Sequence, residues 1–145
     1  MQSFPHHYQV SATGSGDGDI FIRSADLPDW PTNAPAEFDG PGDRWSPETM
    51  LVGAVANCYI LTFRAIATAS KFPWTDLQCR ASGLLDRVDR VTQFTAIKLD
   101  VKLTVPVGTD RDKAERLLAK AEQACLITSS LKAHAELTAE VVEAS

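Results

Sequence analysis

The side chains of this sequence most suited to covalent chemistry are the thiols of Cys58 and Cys125. The thiolate form of cysteine is a strong nucleophile. Free cysteine is also among the most buried residue types and often packs as a small hydrophobe. Taken alone, each of the two cysteines is therefore better explained as an inert, packed side chain than as a reactive one. Cys79 alternates with polar residues along a predicted strand, and we interpret it as structural.

Other residue types offer weaker candidates for a site. His6 and His7 are adjacent, so in a strand they point to opposite faces. Three cysteines are too few for a disulfide scaffold or a cysteine-based zinc site. Ser46 has no neighbouring base and is better explained as a helix cap. We therefore expect neither a metal nor a cofactor.

Composition limits the class of protein. With 145 residues, 44% of them hydrophobic and 23% charged, the chain is expected to form one globular domain over residues 1–145. The net charge of -5 and the lack of a basic block argue against a nucleic-acid partner. Residues 1–10 lack Lys, Arg and an apolar stretch, so we expect no secretory signal and a reducing cytoplasm. A cysteine pair there is more often redox-active than structural.

The helices and strands that position the cysteines are predicted from hydrophobic periodicity and from the residues that begin or end such elements. Residues 7–24 predict a β-hairpin, and the proline-rich residues 25–46 predict a long loop. Ser46 and Pro47 open a helix that runs toward Pro73. Strands are expected at residues 77–85 and 97–105 around a turn at 86–92, then a helix from Thr109 to Cys125 and a closing strand at 135–141.

The first helix raises a packing question. Residues 50–63 carry no charge, and fourteen residues are too few to span a bilayer, so we expect a central buried helix and no membrane partner. One small sheet cannot cover such a helix on all sides. The sequence therefore predicts an α+β fold, with antiparallel sheets around a long buried helix, in an intertwined homodimer.

Several motifs together carry a family resemblance. They are Ser46-Pro47-Glu48-Thr49-Met50-Leu51, Ala54-Val55-Ala56-Asn57-Cys58, Phe38-Asp39-Gly40, and Cys125 followed by Ser129 and Ser130. With these motifs the chain resembles the family of osmotically inducible and organic-hydroperoxide-resistance (OsmC/Ohr) proteins, as an atypical member.

This resemblance implies a thiol peroxidase that acts on organic hydroperoxides in oxidative stress. It makes Cys58 the peroxidatic residue, Cys125 the resolving residue, and Glu48 the carboxylate that orients an arginine. It also implies an external dithiol reductant, small or of lipoyl type, and an intertwined homodimer. An apolar substrate is expected from the apolar residues that would line the site, which are Trp45, Met50, Leu51, Phe63 and Leu126.

The Cys58 thiol needs activation for this chemistry. A depression of its pKa by about three units requires roughly 4 kcal/mol of preference for the thiolate. Burial works against it, and the dipole of its own helix fades within the first turn. We therefore expect a nearby arginine. The family's two arginine positions are Gly16 and Glu37 here, which leaves Arg44 as the best substitute and Arg23 as a weaker one.

Helix geometry places a further constraint on Glu48. It precedes Cys58 by ten residues, or about 15 Å along a straight helix. We therefore expect Glu48 to serve the Cys58 of the other subunit. Two alternatives remain open: a non-catalytic dimeric module that binds an apolar small molecule, and a slow redox sensor with the same cysteines.

Overall fold

A computed structural model describes all residues from Met1 to Ser145, which form two compact units at residues 1–50 and 51–145. The first unit holds an antiparallel sheet of strands β1 (Ser11–Thr13), β2 (Ile20–Arg23) and β3 (Trp30–Thr32), in that order. The predicted hairpin over 7–24 is confirmed. The prediction of a long loop over 25–46 is wrong in part, because β3 and a 3₁₀ turn at Ala36–Phe38 lie within it. Pro31 is tolerated there because β3 is an edge strand.

Helix α1 (Pro47–Ala69) begins at the predicted cap. The backbone N–H of Thr49 donates to Ser46 Oγ at 3.1 Å, and the Ser46 N–H donates to Thr49 Oγ1 at 2.8 Å. The helix ends in a Schellman turn. Lys71 has a positive φ of 52°, and the Phe72 N–H donates to the Ala67 carbonyl at 2.8 Å.

The single chain buries only part of α1, as expected if one small sheet cannot cover the helix on all sides. Only one stripe is fully buried in the single chain, formed by Val55, Tyr59, Phe63 and Ala67 at a spacing of four residues. The helix has 23 residues and a stretch of mean hydropathy 1.6, so it is long and apolar enough to cross a membrane by length and composition alone. The length argument made from residues 50–63 therefore does not hold for the whole helix. The core helix of a globular protein meets the same two criteria.

The second unit contains a sheet of β4 (Asp76–Val88), β5 (Val91–Val105) and β6 (His134–Glu143), in the order β4-β5-β6. The turn predicted at 86–92 is shorter in the structure and consists of Asp89 and Arg90. Both residues have positive φ, as a two-residue hairpin loop requires. The expectation of antiparallel sheets is wrong for one pair, because β5 and β6 are parallel. Helices α2 (Arg111–Ala124) and α3 (Leu126–Ser129) supply the crossover that a parallel pair needs.

The core of the second unit lies between this sheet and the helices. Alternate residues of β5 point inward, and α2 contributes Ala114, Leu117, Leu118 and Ala121, as its sequence pattern predicts. The N-cap of α2 is Asp110, one residue later than expected, whose side chain accepts from the Lys113 N–H at 3.1 Å. Tyr59 joins α1 to α2 by donating its hydroxyl to the Leu118 carbonyl at 2.9 Å. That bond fixes the turn of α1 that also carries Cys58.

Candidate active site

The structure brings the two predicted cysteines together. Cys58 is half-buried on α1, and Cys125 is fully buried where α2 ends and α3 begins. Both are free thiols, and the Cys125 side chain lies near enough to Cys58 to act on the pKa of its thiol. Residues 67 positions apart in sequence thus meet because α2 packs against the helix that carries Cys58.

The start of α3 contributes a second set of contacts to Cys58. Cys125 is the N-cap of α3, but its own side chain makes no capping hydrogen bond. The first N–H groups of a helix have no partner inside it. Here the backbone N–H groups of Leu126 and Ile127 lie close enough to the Cys58 sulfur to lower the pKa of its thiol.

These contacts decide the charge state of Cys58. Burial raises the pKa of its thiol, whereas hydrogen bonds from the Ile127 N–H, the Cys125 thiol, the Thr62 hydroxyl and the Leu126 N–H lower it. The hydrogen bonds outweigh burial, so the pKa of Cys58 lies below its ordinary value. Within the second unit, hydrogen-bond donors lower the pKa of Cys58, and the arginine that we expected near it stays a prediction.

Cys79 differs from Cys58 in its environment. Burial, followed by the nearby Cys125 and Asp100, raises the pKa of the Cys79 thiol to about 11. A thiol of that pKa is almost wholly protonated at neutral pH and is a poor nucleophile. This environment agrees with its interpretation as a structural residue on β4.

The two arginine candidates are already paired within the first unit. Arg44 Nε donates to Asp19 Oδ2 at 2.9 Å, and Arg23 Nε donates to Asp29 Oδ2 at 2.9 Å. Hydrogen bonds from Asn33 and then Arg44 hold the pKa of Asp19 below its usual range. A carboxylate thus accepts from the Nε of each arginine, and neither arginine is hydrogen-bonded to Glu48.

Glu48 has a different peculiarity. Its Oε1 atom is buried and has no hydrogen-bond partner in the single chain. Buried polar atoms are nearly always paired, because an unpaired one costs about 1–3 kcal/mol. No group of the single chain donates a hydrogen bond to this oxygen of the Glu48 carboxylate.

One residue of the predicted apolar lining, Phe63, does not lie at an open site. Phe63 is fully buried and packs edge-to-face against Trp74 with ring centroids 5.4 Å apart, so it belongs to the core and lines no open site. Leu126, whose N–H reaches Cys58, is 65% exposed. Leu61 lies one turn after Cys58 on α1 and is also exposed. These two side chains give the surroundings of Cys58 an apolar, accessible character.

Three contributors to the site were not anticipated from the sequence: Thr62 and the N–H groups of Leu126 and Ile127. Thr62 could have been found, because residues four apart on a helix are neighbours. The backbone donors could not, because they depend on the separate helix α3. We also find no group of three or more His, Cys, Asp or Glu side chains that could hold a metal ion.

Comparison with known proteins identifies the class. Residues 40–140 match the family model described as OsmC-like protein. The chain is 32% identical over 142 residues to the protein YmaD of Bacillus subtilis (strain 168), and this covers 93% of each chain. The protein therefore belongs to the OsmC-like family, as the sequence motifs indicated.

Solved structures agree with this fold. An OsmC-like protein of unknown function from Vibrio cholerae superimposes with a TM-score of 0.84 at 15% identity, covering 95% of this chain and 100% of that one. An organic hydroperoxide resistance protein OsmC from Legionella pneumophila gives 0.72 at 19% identity, covering 97% and 99%. The predicted α+β OsmC-like fold, with two sheets and a long helix, is confirmed. The family includes organic hydroperoxide resistance proteins.

Proposed function

We propose that this protein is a cysteine-based peroxidase that reduces organic hydroperoxides, with Cys58 as the nucleophile and Cys125 as the resolving thiol. The observation that carries the proposal is the pairing of a Cys58 thiol of lowered pKa with the Cys125 thiol beside it. A peroxidatic cysteine must be ionised to attack, and a resolving cysteine must lie next to it. Family membership supports the same chemistry.

The reaction balances without a cofactor. The Cys58 thiolate attacks the distal oxygen of ROOH, the O–O bond breaks, and the alkoxide leaves and takes a proton to become the alcohol. Cys58 becomes a sulfenic acid. The Cys125 thiol then attacks its sulfur, which forms the disulfide and releases water. A dithiol reductant, small or of lipoyl type, exchanges with this disulfide and restores both thiols in a reducing cytoplasm.

The substrate class follows from the surroundings of Cys58. Leu126, whose backbone N–H acts on the pKa of Cys58, carries a large apolar side chain that is 65% exposed. Burying apolar surface on binding contributes roughly 25 cal/mol per Å². An organic hydroperoxide with a bulky apolar group gains this contribution, whereas hydrogen peroxide has no carbon to bury.

A single-turnover oxidation tests the proposal. We expect one equivalent of cumene hydroperoxide to remove two hydrogen atoms from the reduced protein within seconds, measured as intact mass, because both thiols are in place. Peptide mapping should then identify a disulfide between Cys58 and Cys125. The Cys79→Ser variant serves as a control and should oxidise equally fast. A wild-type protein whose mass stays unchanged for minutes would contradict the proposal and favour a binding role.

We further propose that the functional unit is a homodimer in which the partner covers α1. Two observations support this assembly. Only four of the 23 residues of α1 are buried in the single chain, and Glu48 Oε1 is buried without a donor. A second copy can cover the open faces of α1 and supply a donor to Glu48.

Light scattering tests the dimer. We expect a particle with the mass of two 15.8 kDa chains at micromolar concentration. We also expect Glu48→Gln to keep the dimer, because the amide has nearly the same shape as the carboxylate. A monodisperse monomer in light scattering would contradict the assembly and leave the cysteine chemistry to be judged separately.

A further inference from the structure

The Thr62 hydroxyl has an unusual partner. Thr62 follows Cys58 by one helical turn on α1, and its Oγ1 lies 3.7 Å from the Cys58 Sγ. Hydrogen bonds to sulfur are longer than those to oxygen, because the sulfur atom is larger. Side chains four residues apart share one face of a helix, so this contact is held by α1 itself.

Three other hydroxyls in or next to the helices of the second unit behave differently. Thr68 Oγ1 donates to the Arg64 carbonyl at 2.9 Å, Ser129 Oγ donates to the Cys125 carbonyl at 2.9 Å, and Ser130 Oγ donates to the Leu126 carbonyl at 2.8 Å. This bond to the carbonyl four residues back is the usual choice for a hydroxyl in a helix. Thr62 instead makes its side-chain hydrogen bond with the sulfur of Cys58.

We infer that the Thr62 hydroxyl donates a hydrogen bond to the Cys58 thiolate, which fixes the Sγ position on α1 and favours the charged sulfur that attacks substrate. The inference rests on the proposed peroxidase function and deepens it. A thiolate can only accept, so the hydroxyl becomes the donor once the proton leaves. A hydrogen bond to a charged acceptor is about twice as strong as one between neutral groups. The contact therefore favours ionisation.

Several titratable groups of the second unit act on Cys58 or on its neighbour Tyr59. The Cys125 thiol is beside Cys58, and the groups that act on Tyr59, the next residue of α1, are Cys79, Glu122 and Cys125. Thr62 is not titratable, so its removal changes hydrogen bonding without adding or removing a charge.

The test compares Thr62→Val with Thr62→Ser. Valine keeps the β-branched shape and loses the hydroxyl, whereas serine keeps the hydroxyl. The rate of Cys58 alkylation by iodoacetamide is measured from pH 5 to 10 by peptide mass spectrometry. For Thr62→Val we expect about a tenfold loss of rate at pH 6 and an unchanged rate at pH 10, where the thiol is ionised in either protein. Thr62→Ser should stay within about twofold of wild type throughout.

A matched control is Thr68→Val, which removes a hydroxyl from the same helix and should leave the profile unchanged. Circular dichroism and thermal unfolding show whether Thr62→Val retains the fold, and Thr62→Ala serves as a second variant if it does not. A wild-type profile in a folded variant without the hydroxyl overturns the inference. Alkylation needs no peroxide, so a shifted profile in a protein that does not react with hydroperoxide would support this inference and reject the peroxidase function.

Discussion

Replacing Cys58 with serine is expected to reduce hydroperoxide consumption to the uncatalysed rate. A serine hydroxyl stays protonated at neutral pH, whereas the pKa of the Cys58 thiol lies below its ordinary value. Oxygen also cannot take up the transferred oxygen atom as sulfur does. The measurement is the loss of cumene hydroperoxide with dithiothreitol as the reductant, at equal protein concentration.

The Cys125→Ser variant separates the two roles. Without the resolving thiol, Cys58 should stop as a sulfenic acid, seen as one added oxygen atom and trapped with dimedone. The Cys79→Ser variant should turn over like wild type, because the pKa of that thiol is raised to about 11. Activity that survives in Cys58→Ser but disappears in Cys79→Ser would make Cys79 the nucleophile and contradict the role proposed for Cys58.

The pH profile of this reaction follows from the same contacts. The hydrogen bonds at Cys58 lower its pKa, so the thiolate is populated at lower pH than in a free cysteine. The oxidation rate should therefore rise with pH through the Cys58 pKa and level off below the pH at which ordinary thiols ionise.

The sequence predicted the parts of the site that local patterns encode. Ser46 and Pro47 fixed the start of α1, and the family motifs pointed to Cys58 and Cys125. The source of the activation could not be predicted in this way. The N–H groups of Leu126 and Ile127 reach Cys58 only because α3 begins directly after Cys125. That arrangement depends on packing between distant segments.

The same limit explains the errors in the fold. The strand pattern of β6 gives its inward face but not its direction, and the helices before it return the chain parallel to β5. An arginine near a helix cap gives no sign of its partner, and Arg44 pairs with Asp19, 25 residues earlier. A uniformly apolar helix likewise does not show which of its faces the same chain covers.

The largest effect on stability is expected from Phe63→Ala. Phe63 is fully buried in the stripe of α1 that faces the core, and its ring packs edge-to-face against Trp74 at 5.4 Å. Truncation of a buried phenylalanine costs about 3–5 kcal/mol, because it removes transfer free energy and leaves a cavity. The whole stability of a domain is only about 5–15 kcal/mol. We therefore expect the melting temperature to fall by roughly 10 °C.

A conservative variant checks that this loss comes from packing. Phe63→Leu keeps the site apolar and fills much of the cavity, so it should cost about 1–2 kcal/mol in urea unfolding at the same protein concentration. Phe63 is five residues from Cys58 and turns toward the core, and a folded Phe63→Leu protein should therefore keep its alkylation profile. Equal stability of the alanine variant and wild type would show that this stripe of α1 is not the core contact, and the covered face of the helix would have to be reassigned.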